Sequence, residues 1–181
     1  VLANPKKPLT AIIGGAKVSS KLGIIEHLIG RVDRLIVGGG MAYTFVQAQG
    51  GSIGNSLVEP EMHAQALAIL EKAQSSGTEL LLPTDTLCAD AFTPNANTQV
   101  VPTDAIPADW IGLDIGPETA AHFADAVLTS NTVLWNGPMG VFEMAAFAHG
   151  TNAVAAALAK VTADSGAFTL IGGGDSVAAI N

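Results

Sequence analysis

The sequence has little cysteine, little charge and no long hydrophobic run. One cysteine, Cys88, among 181 residues excludes an internal disulfide framework and is typical of a reducing compartment. Charged residues make up 13% of the chain and hydrophobic residues 49%, which excludes an intrinsically disordered protein. No apolar run approaches the roughly 18 residues that a membrane-spanning helix requires. Residues 1–181 are therefore expected to form one folded domain that does not cross a membrane.

Positive charge is scarce and unevenly distributed. The chain has 8 Lys and Arg against 16 Asp and Glu, a net charge of −8. Residues 1–34 carry a net +4 and residues 35–181 a net −12, with Lys72 and Lys160 as the only cations in the second part. A nucleic-acid surface needs a basic stripe, which this distribution excludes. A small anion site built from a few lysines and backbone amides remains compatible with the first part.

Three common sequence signatures are also missing. The P-loop pattern G-x-x-x-x-G-K-[ST] does not occur, and neither does the dinucleotide fingerprint G-x-G-x-x-G. The second absence disfavours a dinucleotide-binding dehydrogenase. The first eight residues lack the charged-then-apolar order of a signal peptide.

The chain reads as strands that alternate with helices. Helices are predicted over 17–29, near 41–49, from Pro60, around Phe123, around Leu158 and, as a cut-off start, after Asp175. Residues 84–109 predict short β pieces at best. Such alternation favours βαβ units, a doubly wound α/β fold and a mostly parallel sheet. The strands are predicted at 9–13, 34–37, 79–82, 110–115, 132–135 and 168–171.

Glycine clusters follow four of these strands. They lie at 14–15, 38–40, 137 with 140, and 172–174. Each cluster alone is compatible with a simple tight turn between a strand and a helix. The carboxyl ends of parallel strands meet at one edge of a sheet, where open α/β folds bind ligands. Exposed amides and helix N-termini at such an edge suit phosphate groups, so four clusters favour a nucleotide or phosphate ligand.

Four charged positions lie beside these clusters. Lys17 and Lys21 are four residues apart, hence on one helix face, and they are locally unfavourable near a helix N-terminus. A bound polyphosphate would reverse that penalty, although two solvated lysines are the simpler alternative. Asp175 is placed either to cap a helix or to hold Mg²⁺ beside a phosphate. Glu143 is placed to accept ribose hydroxyl groups, or is merely solvated.

Five ordered motifs together resemble phosphoglycerate kinase, and they match its C-terminal, nucleotide-binding domain. They span nearly the whole chain. In single letters they are GGAKVSSK from Gly14, GGGMAYTF from Gly38, GLDIGPE from Gly112, WNGPMGVFE from Trp135 and GGGDS from Gly172. The resemblance implies a three-layer Rossmann-like fold and reversible phosphoryl transfer between 1,3-bisphosphoglycerate and ADP, giving 3-phosphoglycerate and ATP. Mg²⁺ would accompany the nucleotide.

The resemblance also implies roles for individual residues. Lys21 would contact the nucleotide phosphates, and Lys17 would neutralise the phosphoryl group in flight. Gly15 and Ala16 would be part of the nucleotide-binding site. Asp175 would hold Mg²⁺. The remaining implied contacts are Gly39, Gly40, Gly112 and Leu113 around the adenine; Asn136, Pro138 and Glu143 at the ribose and phosphates; Gly173 and Gly174 through amides to the transferring phosphate; and Ser176 capping the last helix.

The sequence departs from the family in three ways. We expect it to represent one half of a two-domain kinase, because the basic N-terminal domain for phosphoglycerate and the final C-terminal segment have no counterpart here. Ser20 stands where some members have an acidic residue.

Members of the family are usually monomeric and cytoplasmic, or lie in plastids in photosynthetic eukaryotes. Two alternatives are a non-catalytic adenine-nucleotide-binding module and a dehydrogenase-type Rossmann domain.

Overall fold

The structure is a computed structural model, and it describes residues 3–181. Val1 and Leu2, which begin the stretch without signal-peptide order, lie outside the described residues. Strands and helices alternate along the described chain. The strands are β1 (Leu9–Ile13), β2 (Arg34–Val37), β3 (Ser52–Ile53), β4 (Glu79–Leu81), β5 (Asp85–Ala89), β6 (Thr98–Pro102), β7 (Ala105–Ile106), β8 (Ile111–Ile115), β9 (Thr132–Asn136) and β10 (Phe168–Gly172). The helices are α1 (Val18–Leu28), α2 (Ala42–Ala48), α3 (His63–Ser75), α4 (Pro117–Leu128), α5 (His149–Ser165) and α6 (Gly174–Ile180).

A five-stranded parallel sheet forms the centre of the molecule. Its strand order is β10-β9-β1-β2-β4, and each neighbouring pair is parallel. The chain builds outward from β1 through β2 to β4, then returns to the other side of β1 for β9 and β10. The direction of winding therefore reverses between β1 and β9, and such a reversal opens a crevice at the carboxyl ends of the strands.

Two hydrophobic cores cover the two faces of this sheet. On one face, Leu35 and Val37 of β2 pack with buried residues of α1, α2 and α3, including Phe45. On the other, Ile36 packs with buried residues of α4 and α5, including Phe123. Alternate residues of β2 thus enter opposite cores, as the two-residue period of a strand requires. The predicted doubly wound α/β fold is confirmed.

One part of the predicted topology is wrong. The strand predicted at 110–115 does not join the parallel sheet; it begins at Ile111 as β8 and pairs antiparallel with β5. β5 also pairs antiparallel with β6, so the stretch 84–109 contains two full five-residue strands. The prediction failed because the partner strands are distant in sequence and the stretch between them is rich in turn residues. This second sheet lies beside the carboxyl ends of the first and forms a wall of the site.

Among residues 3–181, no helix is both long and apolar enough to cross a membrane.

Candidate functional site

A cleft of about 570 Å³ opens at the carboxyl ends of the parallel strands, next to the reversal between β1 and β9. This volume lies within the range of ordinary small-molecule sites. The turns after β1, β2 and β9 form one side, and β8 with the loop after β5 forms the other. Nine of the residues expected from the sequence line this cleft: Gly15, Ala16, Gly39, Gly40, Gly112, Leu113, Pro138, Glu143 and Asp175.

The turns at the cleft are tied together through their backbones. The amide of Gly15 donates to the carbonyl oxygen of Pro138 at 3.2 Å, and the amide of Met41 donates to the carbonyl oxygen of Gly15 at 3.0 Å. Gly39 has a φ of +73°, and a Cβ there would lie 2.6 Å from the amide nitrogen of Gly15. A side chain cannot be accommodated at that distance, so glycine is required where the turns after β1 and β2 meet.

Lys21 reaches across the reversal point. Its Nζ donates a hydrogen bond to Oδ1 of Asn136, at the end of β9, with a distance of 2.5 Å. Lys21 is half-buried, whereas Lys17 precedes the first residue of α1 and is exposed. Lys21 and Asn136 do not line the cleft but form a polar cluster next to it, since a Cβ on the lining residue Gly15 would lie 3.5 Å from Cε of Lys21. An ammonium group has three donors, so Lys21 retains two for an anionic ligand.

The turn after β10 reaches the same cluster. A Cβ on Gly173 would lie 3.2 Å from Oδ1 of Asn136, so this turn is adjacent to Asn136 and Lys21. Gly173, Gly174 and Asp175 are exposed, and Asp175 lies at the cleft. Ser176 is completely buried, and its Oγ accepts a hydrogen bond from the amide of Gly137. The arrangement differs from the predicted helix cap, because the hydroxyl ties α6 to the turn after β9 and Gly173 occupies the cap position.

Several apolar side chains of the cleft were not among the expected site residues. Tyr43, Leu57, Phe92 and Ile111 all line it. Phe92 and Leu57 leave 58% and 48% of their surface exposed. No local sequence signal identifies these side chains, because single exposed apolar residues are common on protein surfaces. These side chains form an apolar end of the cleft, whereas the polar cluster of Lys21 and Asn136 lies outside its lining.

A buried carboxyl group supports the floor of the cleft. Asp114 is 1% exposed, and it accepts hydrogen bonds from the amides of Ile115 at 2.8 Å and Gly150 at 2.9 Å. Burial raises the pKa of Asp114 to about 6, although the two amides and the nearby His149 oppose this shift. Burial also raises the pKa of Tyr43, and the charge of Asp114 adds to that increase. Asp114 joins β8 to the start of α5.

Metal-ligating side chains are sparse. Within the described part of the chain, no group of three or more His, Cys, Asp or Glu side chains converges as a metal site. Asp175 is one carboxylate at the polar side of the cleft. A single carboxylate together with ligand phosphates is a usual environment for Mg²⁺, so the donor set fits a nucleotide-bound ion rather than a resident metal.

Comparison with known proteins identifies a consistent set of similarities. The family model described as phosphoglycerate kinase matches residues 1–181. The cytosolic phosphoglycerate kinase 3 of Arabidopsis thaliana is 55% identical over 179 residues, covering 99% of this chain and 44% of that protein. The phosphoglycerate kinase of Chloroherpeton thalassium is 57% identical over 178 residues, covering 98% and 45%. A chloroplastic phosphoglycerate kinase 2 of Arabidopsis thaliana is 54% identical over 179 residues, covering 99% of this chain and 37% of that protein.

The fold is also closely similar to that of a solved structure. The structure of phosphoglycerate kinase from Coxiella burnetii superposes with a TM-score of 0.94 at 46% sequence identity. The match covers 98% of this chain and 45% of that one. This chain therefore spans less than half the length of the relatives that it matches.

Proposed function

This chain belongs to the phosphoglycerate kinase family, and from that premise we propose that it supplies the Mg-nucleotide site for reversible phosphoryl transfer between 1,3-bisphosphoglycerate and ADP. The products of that transfer are 3-phosphoglycerate and ATP. Residues 1–181 act as one nucleotide-binding domain in this proposal. The phosphoglycerate substrate is held by a part of the protein outside this chain, in a cytosolic or plastid compartment.

One observation carries the proposal: a largely apolar cleft lies at the winding reversal of a parallel sheet, and the polar cluster of Lys21 and Asn136 lies next to its lining residue Gly15. The apolar cleft and the neighbouring cationic cluster match the two ends of ADP, a flat base and a charged diphosphate. Folds of this kind bind nucleotides at this edge.

The base is assigned to the apolar end. Gly39 and Gly40 in the turn after β2 and Gly112 and Leu113 in β8 line this part of the cleft. Leu57 and Phe92 add apolar surface that a base would cover. Asn136, Pro138 and Glu143 are assigned to the ribose and phosphates, with Glu143 accepting from the ribose hydroxyl groups.

The phosphates are assigned to the polar cluster next to the cleft. Lys21 binds phosphate oxygens in the ground state, and Lys17 neutralises the phosphoryl group during transfer. Gly15 and Ala16 border the phosphates, while Gly173 and Gly174 offer backbone amides to the transferring group. Asp175 holds Mg²⁺, and Ser176 fixes the turn that carries these residues through its hydrogen bond from Gly137. Bound Mg²⁺ would supply charge neutralisation between the phosphates.

This set of residues suits phosphoryl transfer because that reaction demands little covalent chemistry from a protein. It requires alignment of donor and acceptor and stabilisation of charge, which lysines and backbone amides provide. The sequence offers no paired nucleophile and base, which agrees with such a mechanism.

Calorimetric titration of the purified chain tests this proposal. We expect ADP and ATP to bind in the presence of Mg²⁺, and NAD to bind more weakly or not at all. The cleft would accept the adenine base of either ADP or NAD. NAD carries a second nucleoside, for which this proposal assigns no binding surface. Tighter binding of NAD than of ADP would contradict the proposal and favour a dehydrogenase-type domain.

A further inference from the structure

The first turn of α1 lacks a capping residue of its own. α1 begins at Val18, and Lys17 occupies the cap position in an extended conformation without a side-chain cap hydrogen bond. The first amides of a helix have no partner within the helix, and Ser, Thr, Asp and Asn usually supply one. A lysine side chain has no acceptor to offer. Placing Lys17 here therefore leaves these amides to be satisfied from elsewhere.

Glu59, which is 40 residues further along the chain than Ser19, supplies the missing acceptor. Its Oε1 accepts from the amide of Ser19 at 3.1 Å, and its Oε2 accepts from the hydroxyl of the same serine at 2.5 Å. Glu59 is only 8% exposed. Its own amide donates to Oγ1 of Thr44 in α2 at 3.1 Å, in a buried position. Glu59 thus joins α1, through its carboxylate, to α2, through its backbone amide.

The electrostatics agree with an ionised carboxylate. Burial raises the pKa of Glu59, but the hydrogen bonds from Ser19 and Val18 and the charge of Lys17 together lower it below its usual value. Among residues 3–181, the only ion pair within 4.0 Å joins Lys7 to Asp33. Lys17 therefore lies near Glu59 without a direct ion pair, and its ammonium group stays available to a ligand.

The segment that carries Glu59 also forms part of the cleft. Asn55 and Leu57 line it, and Oγ of Ser56 accepts from the amide of Gly112 at 2.8 Å. The position of Glu59 is therefore fixed on one side by the wall of the cleft and on the other by α2.

We propose that Glu59 is a positioning residue, which fixes the first turn of α1 and so holds Lys17 at the edge of the nucleotide cleft. This inference rests on the proposed function, because Lys17 is assigned there to the phosphoryl group in flight. A displacement of Lys17 would lower the rate of transfer more than the affinity for nucleotide, since misplacement of a catalytic group acts on the transition state.

The test compares Glu59→Gln with Glu61→Gln. Glu61 is an exposed acid two residues further on, so its variant makes the same change without the contacts. Turnover requires a hybrid enzyme, in which this chain replaces the matching part of the Chloroherpeton thalassium relative. We expect Glu59→Gln to lower kcat roughly tenfold while the Kd for Mg-ADP changes less than about threefold.

Ser19→Ala should lower kcat less than Glu59→Gln, and the effects of the two substitutions should be non-additive in the double variant. An unchanged kcat, or equal losses of kcat and affinity with a lower Tm, would overturn the inference.

Amide hydrogen exchange in the 181-residue chain gives a readout that does not need turnover. The Ser19 amide should exchange at least about tenfold faster in Glu59→Gln than in Glu61→Gln, because its acceptor has lost its charge. Unchanged exchange would contradict the inference. A wild-type hybrid without turnover would contradict the proposed function instead, and the exchange experiment would still decide whether Glu59 fixes α1.

Discussion

Lys17 and Lys21 lie one turn apart at the start of the same helix, yet their surroundings differ. Lys21 is half-buried and bonded to Asn136, whereas Lys17 is exposed at the start of α1. A lysine already held next to the cleft contributes to binding of phosphates present in the ground state. A lysine at the rim is free to meet charge that develops only during transfer.

The first prediction separates these two roles. We expect Lys21→Ala to raise the Kd for Mg-ADP roughly tenfold, because a charge-assisted hydrogen bond is lost. Lys17→Ala should leave this Kd within about threefold but lower kcat of the hybrid enzyme by roughly a hundredfold or more. Calorimetry and steady-state kinetics measure the two quantities. Equal losses of affinity in both variants, with unchanged turnover of the bound complex, would refute the assignment.

The second prediction concerns Asp114. An aspartate in an unfolded chain titrates near pH 3.9, and burial raises the pKa of Asp114 to about 6 in the folded chain. The folded state therefore binds this proton more tightly. The resulting stabilisation is present below about pH 4 and is lost as the pH rises through 6, with a total of about 3 kcal/mol.

Urea unfolding at several pH values measures this effect. Asp114→Asn removes the titration, so the difference in unfolding free energy between wild type and variant should change between about pH 4 and pH 6 and be constant above pH 7. Subtracting the variant removes the contributions of other carboxyl groups. A difference that does not depend on pH would show that the carboxyl group of Asp114 titrates alike in both states.

At the scale of elements, the glycine turns were predictable but the second sheet was not. Glycine clusters after apolar runs identified the ends of β1, β2, β9 and β10, because a tight turn requires glycine at the turn position itself. The pairing of β5 with β8 depends on residues that are distant in the chain. Two hydrogen bonds could not be predicted for the same reason. Ser176 bonds to Gly137 and Glu59 bonds to Ser19, and no local sequence pattern identifies either partner.

The third prediction tests the close approach of two turns. Gly39 and Gly77 have φ values of +73° and +74°, but of the two only Gly39 has neighbours within 4 Å of the position that a Cβ would take. The free energy of unfolding should fall by about 1 kcal/mol in both alanine variants, because alanine is disfavoured in the left-handed backbone conformation. Gly39→Ala should lose about 1–3 kcal/mol more, because the turns after β1 and β2 must move apart.

Chemical denaturation of both variants measures that difference, and Gly77→Ala serves as the matched control. The Kd for Mg-ADP should rise in Gly39→Ala alone, since Gly39 lines the cleft. Equal stability losses in the two variants would show that the contact between the turns contributes little.

At the scale of the whole molecule, lysine and arginine side chains lie at both ends of the parallel strands. Lys17 and Lys21 lie beside the cleft. Arg34 begins β2 and donates to the carbonyl oxygen of Ala126 at 2.7 Å, at the opposite edge of the sheet. Lys7 pairs with Asp33 at 3.9 Å near that same edge. Lys72 and Lys160 lie on α3 and α5.

The last prediction follows from this division: the 181-residue chain binds Mg-nucleotide but does not catalyse transfer to phosphoglycerate. Lys17 and Lys21, which lie beside the cleft, are assigned to the nucleotide, and no basic side chain among residues 3–181 lines the cleft itself. None is therefore placed to hold an acyl phosphate at the separation of about 3 Å that transfer requires.

A coupled assay should show turnover in the hybrid enzyme and none in the isolated chain. A Lys17→Ala/Lys21→Ala preparation, purified in parallel, measures activity from contaminating host enzyme. Turnover by the isolated chain above that background would place the acceptor site within residues 1–181 and contradict the proposed division between two parts of the protein.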